Sequence, residues 1–168
     1  MNRAAQLTLL LLVLTACVSC DQAFKGVARS TLADAPPLSY MNDFVRFEYA
    51  ENSGAFLSLG ARLPDTARFL LLEVLVGFVL AAGLAAMFSD RFGLPQKAAL
   101  ALALGGGLGN LIDRVLHGAV VDFVSVGIGP LRTGVFNLAD VAITAGMLTI
   151  LWLSSRERPA PSREIPST

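Results

Sequence analysis

Side chains able to move protons recur at short, regular spacings in this chain. In Phe136-Asn137-Leu138-Ala139-Asp140, the amide and the carboxylate are three residues apart. On a helix that spacing puts both on one face, and the small Ala139 lets another chain approach. In Gly105-Gly106-Gly107-Leu108-Gly109-Asn110-Leu111-Ile112-Asp113-Arg114, Asn110 stands three and four residues before a carboxylate and a guanidinium. An arginine beside an aspartate at membrane depth suggests an internal ion pair that shapes a polar pocket. A further carboxylate, Asp122, lies in Val120-Val121-Asp122-Phe123-Val124. Two carboxylates held at short range cannot both ionise cheaply, so they share a proton. One then acts as base toward a water and the other as acid toward a carbonyl oxygen. That is peptide hydrolysis with neither a metal nor a nucleophilic side chain, and Asp122 and Asp140 are the candidate pair. Spacing alone does not bring them together, and proton relays and ion pathways use the same residue types.

Other motifs carry less. Asn52-Ser53-Gly54-Ala55-Phe56 is a polar turn that by itself reads as an ordinary β-turn. The glycine run lacks the Lys-Ser or Lys-Thr pair of a phosphate loop. Gly105 and Gly109, four apart, instead let a neighbouring helix come close. A single histidine, His117, offers no metal cluster, and neither metal nor cofactor is expected. Cys17 and Cys20 form C-x-x-C, but the end of an apolar stretch is a poor setting for a redox thiolate. Leu14-Thr15-Ala16-Cys17 is shaped like a lipobox, where a lipoprotein precursor is lipidated and cut. A processed lipoprotein would leave the other apolar stretches unexplained.

The elements that must position these groups belong to a membrane. Hydrophobic residues make up 54% of the 168 residues and charged ones 15%, where soluble domains carry about 25%. Crossing the hydrocarbon takes roughly 20 mostly apolar residues. Stretches of about 4–20, 69–88, 98–116 and 135–153 meet or approach that requirement, the first being the shortest, and Glu73 is the only charge in the second. The expected fold is therefore an α-helical integral membrane protein with four transmembrane helices. Between the first two spans, Val45, Phe47 and Tyr49 alternate with Arg46 and Glu48, which predicts a strand near the membrane surface within a β segment over about 40–60. The domain is expected over 1–155, followed by a disordered tail over 156–168.

Serial spans alternate in direction, so the end of span one, the start of two, the end of three and the start of four share one side. Asp21, Glu73, Asp113, Asp122 and Asp140 all fall there. A channel or proton-coupled carrier would spread its charges through the membrane depth; confinement to one side suits a hydrolase working near the surface. Arg3, Arg91, Lys97, Arg156, Arg158 and Arg163 lie opposite, while Lys25, Arg29, Arg46, Arg62 and Arg68 lie on the carboxylate side, mostly in a longer loop that counts less, so the count leans toward cytoplasmic termini. The formal net charge is zero, so nothing points to nucleic acid.

Five blocks, in order and with four spans, resemble the lipoprotein signal peptidase family, also called signal peptidase II. They are Asp21-Gln22-Ala23-Phe24-Lys25, Asn52-Ser53-Gly54-Ala55-Phe56, Gly106 to Arg114, Val120-Val121-Asp122-Phe123 and Phe136-Asn137-Leu138-Ala139-Asp140. The resemblance implies an intramembrane aspartyl endopeptidase of the bacterial inner membrane. It implies Asp122 and Asp140 as the catalytic carboxylates. It implies Asn52, Gly54, Asn110, Arg114 and Asn137 around the substrate, with Asp21 and Asp113 as supports. It further implies a small periplasmic β-cradle and a site near the periplasmic surface. The implied substrate is a prolipoprotein bearing diacylglycerol on its lipobox cysteine, cut just before that cysteine. Membrane lipid is the other partner, and a monomer is expected. The sequence departs from the family in Ala55-Phe56, where a second alanine usually precedes the phenylalanine, and at Phe24, where a small polar residue is usual. These departures bear on substrate preference more than on chemistry.

Overall fold

The computed structural model describes residues 2–54 and 62–156. Four helices are each long and apolar enough to cross a membrane: α1 (Arg3–Leu32), α2 (Asp65–Met87), α3 (Leu94–His117) and α4 (Leu138–Arg156). Their outward faces carry large exposed apolar side chains, such as Leu11, Leu12, Phe78, Leu148 and Leu151. That is the surface expected of helices whose solvent is lipid. Inward, Leu10, Leu80, Ala101 and Leu104 form the centre of the bundle. The helix α3 is the hub, packing against α1, α2 and α4. It begins with Pro95 in its first turn and ends at Gly118, whose φ of 74° closes it with a left-handed residue.

The glycines of α3 make that role possible. A Cβ at 109 would come within 2.5 Å of Asp21 Oδ2 on α1, and one at 106 would strike the backbone carbonyl of Ala139 on α4. Gly105 faces Cys17 and Leu14 of α1, so the pair four apart presents one face to one helix.

The helix α1 runs twelve residues beyond the apolar stretch that ends at Cys20, and is the longest of the four. It carries Asp21 and Lys25 fully buried into the bundle. The reason is compensation: Lys25 Nζ lies 2.7 Å from Asp21 and 3.0 Å from Asp113 of α3, so opposite charges enter together. Lys25 and Arg29 therefore belong to a helix rather than to the following loop. The helix α2 carries a π-helical stretch, Leu70–Leu75, which contains Glu73.

Four strands form one antiparallel sheet in the order β1-β2-β3-β4: β1 (Leu38–Tyr40), β2 (Val45–Asn52), β3 (Val120–Ile128) and β4 (Leu131–Arg132). Half of it comes from the connection between α3 and α4, so the expected β segment before α2 is one part of a shared sheet. Val121 and Phe123 of β3 pack with Ala28 and Leu32 at the end of α1, joined by Phe47 and Tyr49 of β2. Strand alternation then turns Asp122 to the other face. The tail expected after the fourth span lies outside the described residues, apart from Arg156, whose guanidinium sits 4.0 Å from the Trp152 ring.

Candidate active site

Every carboxylate and amide singled out among the described residues ends at the junction of α1, α3, α4 and the sheet, except Glu73, which makes no hydrogen bond or ion pair to this network although its charge reaches Arg114. The junction is built from the start of α4. Phe136 is stitched to β3, its amide donating to Val124 O at 2.8 Å and its carbonyl accepting from the amides of Phe123 and Val124. Asn137 then caps α4: its Oδ1 accepts the Asp140 amide at 2.9 Å, and Asp140 Oδ2 accepts the Asn137 amide at 3.3 Å. This is a capping box with aspartate at its third position. A third amide of that first turn, from Ala139, donates to Asp21 Oδ1 at 2.9 Å. The orphan donors of the helix start are thus met by a cap, a first-turn carboxylate and a buried carboxylate from α1.

The two candidate carboxylates are each held by amide donors. Asp122 Oδ1 accepts from Asn137 Nδ2 at 2.7 Å, and its Oδ2 accepts from Asn52 Nδ2 at 3.1 Å. Asp140 Oδ1 accepts from Asn110 Nδ2 at 2.9 Å. Asn137 Nδ2 also reaches Asn110 Oδ1 at 3.1 Å, so the two carboxylates are joined through a bridge of two buried asparagines. Both line one cavity of about 60 Å³ with Asn52, Asn110, Arg114 and Phe136, and that space admits more than one water. Asp122 is 3% exposed. Burial pushes its carboxyl up to about 6, and the negative field of Asp140 adds to the rise against the opposing hydrogen bonds from Asn52 and Asn137.

Arg114 does not form the expected ion pair. None of the ion pairs among the described residues includes it. Successive residues on a helix point about 100° apart, so Asp113 turns toward α1 while Arg114 turns toward the cavity. Its Nη2 donates to Gly54 O at 2.8 Å and its Nη1 to Asn110 O at 3.4 Å. Its Nε is buried without a partner. Gly54 thereby enters the site through its carbonyl and its amide, which donates to Asn52 Oδ1 at 3.1 Å. Ala55 and Phe56 of the same motif lie outside the described residues.

Asp21 and Asp113 form a layer behind this one. Asp113 takes Lys25 at 3.0 Å, Arg29 at 3.4 Å and the Val121 amide at 3.3 Å, next to Asp122 in the chain. Gln22 adds an amide donor to Gly109 O at 3.1 Å. Lys25 and Gln22 were not singled out as site residues. The available signal was that Asp21 and Lys25 stand four apart, on one helix face.

The chain's relatives are consistent among themselves. The family model for signal peptidase (SPase) II matches residues 13–156. The chain is 38% identical over 133 residues to the lipoprotein signal peptidase of Sphingopyxis alaskensis, spanning 78% of this chain and 76% of that one. To its counterpart in Moorella thermoacetica it is 39% identical over 132 residues, spanning 79% and 83%. Among solved structures, a bacterial membrane enzyme determined at 1.9 Å by the in meso method superposes with a TM-score of 0.78 at 26% identity, covering 90% of this chain and 95% of that one.

Proposed function

The chain belongs to the signal peptidase II family, and we propose that it removes signal peptides from prolipoproteins by aspartyl catalysis at Asp122 and Asp140. The cut falls just before a cysteine that carries diacylglycerol. The observation that carries this reading is that both carboxylates line one water-sized cavity and are oriented by separate amide donors.

Roles follow from the surroundings. Asp140 sits in the first turn of α4, where the positive end of the helix favours negative charge. It is the base. Asp122, its carboxyl raised to about 6, holds the proton of the pair and is the acid. A water between them loses a proton to Asp140 as its oxygen attacks the scissile carbonyl carbon. The Asp122 proton moves to the carbonyl oxygen, where negative charge develops. Collapse of the tetrahedral intermediate returns a proton to Asp122 and breaks the C–N bond, while Asp140 delivers its proton to the departing amine. The proton count of the pair is restored. Arg114 lines the same cavity, and its Nε–H is buried there without a partner.

Four alternating spans put both termini on one side, and the excess of basic residues opposite the carboxylates supports cytoplasmic termini with the cavity near the periplasmic surface of a bacterial membrane. The substrate enters from lipid, and one copy of the chain suffices.

The test is cleavage by purified protein in detergent, with a diacylglyceryl-modified prolipoprotein and its unmodified form compared by mass spectrometry. The expected result is a product whose N-terminus is the modified cysteine, with the unmodified form left intact. Equal cleavage of both forms, or of neither, would overturn the substrate assignment.

A further inference from the structure

We propose that Lys25 is a positioning residue for peptide hydrolysis: it fixes the direction of the Asn110 and Asn137 side-chain amides, which hold Asp140 and one oxygen of Asp122. The inference rests on the aspartyl reading above, and concerns a residue that touches neither carboxylate of the pair.

An ammonium has three N–H donors and no acceptor. Lys25 Nζ spends all three on Asp21 Oδ2 at 2.7 Å, Asp113 Oδ2 at 3.0 Å and Asn110 Oδ1 at 2.8 Å. Its side chain is 0% exposed, so water offers no alternative partner. The two carboxylates satisfy its charge. The third contact is to a neutral amide, and its consequence is directional. A donor-only group in front of Asn110 admits only the oxygen of that amide. The NH2 must then point away, toward Asp140 Oδ1 at 2.9 Å. A flipped Asn110 would set its NH2 against an ammonium and its oxygen against a carboxylate.

The constraint propagates one residue further. Asn110 Oδ1, held toward Lys25, also accepts from Asn137 Nδ2 at 3.1 Å. That fixes the second amide. Its NH2 reaches Asp122 Oδ1 at 2.7 Å, and its oxygen takes the Asp140 amide as the cap of α4. Lys25 acts on α4 by a second route as well: its partner Asp21 accepts the Ala139 amide beside Asp140. One buried cation thus sets the polarity of a chain of hydrogen bonds that ends on both carboxylates.

The test uses the full-length protein in detergent with lipidated prolipoprotein. Lys25→Met keeps the length of the side chain and removes the donors and the charge. It also leaves two buried carboxylates short of a cation, which endangers folding. Lys25→Met combined with Asp113→Asn removes one charge of each sign and separates the two effects. The expected result for this double variant is a melting temperature near that of the wild type, with kcat lowered about 10- to 100-fold, as for lost outer partners at other organised sites. A pH profile adds a readout that altered folding does not move. Asp122 is faced by Asn52 from β2, Arg114 from α3, Asn137 at the cap of α4 and Asp140 in its first turn, and the charge of Lys25 on α1 reaches it and draws its titration down. Its limb in the kcat profile should move to higher pH when Lys25 is replaced. Wild-type kcat and profile in Lys25→Met, or recovery of kcat together with stability in the double variant, would reduce Lys25 to a structural ion partner. Loss of activity in Asp122→Asn and Asp140→Asn alongside either outcome would leave the aspartyl reading standing and overturn this inference alone.

Discussion

Asn137 and Asp140 cap each other: the asparagine oxygen takes the Asp140 amide at 2.9 Å, and the aspartate takes the Asn137 amide at 3.3 Å. The same asparagine donates to Asp122 at 2.7 Å. One residue therefore starts the helix that carries one carboxylate and orients the other. Local folding and the geometry of the pair are not separable here, because the cap is the bridge.

Substitution can still pull the two roles apart. Serine caps a helix about as well as asparagine, whereas alanine costs about 1 kcal/mol. Asn137→Ser is expected to melt within about 1 kcal/mol of the wild type and to lose most of its activity, since a hydroxyl cannot bridge Asn110 and Asp122. Asn137→Ala should lose activity to the same extent and be the less stable of the two. Thermal unfolding and cleavage rates on the same preparations check this; an active Asn137→Ser variant would mean that the amide donors are dispensable.

Arg114 supports the cavity through hydrogen bonds to Gly54 O and Asn110 O rather than through an ion pair. Removing one member of a buried pair typically costs about 3–5 kcal/mol, whereas losing a hydrogen bond from a charged donor costs about 1.5–3 kcal/mol. Arg114→Ala should follow the smaller figure in chemical unfolding while cleavage falls by more than tenfold. Cleavage near the wild-type rate would show that the guanidinium is only a solvated helix end.

The spans, the strand at Val45, and Asn137 with Asp140 were legible because each rests on neighbours within one element: an apolar run, an alternation, a three-residue helical step. Lys25 was not. A lysine just past an apolar run reads as an interfacial charge, and only its meeting with Asp113 of α3 explains its burial. The extent of α1 was hidden for the same reason. The partner of Arg114 was also hidden, since adjacency to Asp113 in sequence means divergence on a helix. The meeting of Asp122 with Asp140 depends on the register of Phe136 against Val124, a tertiary contact that no spacing encodes.

Asp122→Asn and Asp140→Asn should each abolish cleavage, with the double variant scarcely worse than either, because the pair works as a unit. Both single variants should fold and still bind lipidated precursor. Their amides keep an acceptor oxygen for one partner, although the NH2 must face a donor such as Asn52 or Asn110, which costs about 1 kcal/mol for the lost bond. The assay needs a membrane background free of other signal peptidase II. Near-normal turnover by either single variant would remove the aspartyl assignment.

The raised titration of Asp122 makes a prediction for stability with a definite sign. Its carboxyl rises from the ordinary aspartate value of 3.8 to about 6 in the folded protein. Between those values the native state holds a proton that the unfolded state has released, so stability falls as pH rises. The contribution is full below about 4 and is lost as pH climbs through about 6. At 1.36 kcal/mol per unit, the two-unit gap corresponds to at most about 3 kcal/mol. Melting in detergent across pH 4–8 should therefore show a downward component between pH 4 and 6 that Asp122→Asn lacks. Activity should obey the same group from the other direction. If Asp122 must carry the proton, kcat falls as pH rises beyond its titration in the enzyme–substrate complex, and the apparent value belongs to the pair with Asp140. Replacing Asn52 by leucine removes a hydrogen bond that favours the ionised form of Asp122. That variant should hold the proton to higher pH and carry the descending limb with it. A limb that stays put in Asn52→Leu, or moves to lower pH, would show that Asp122 is not the protonated partner.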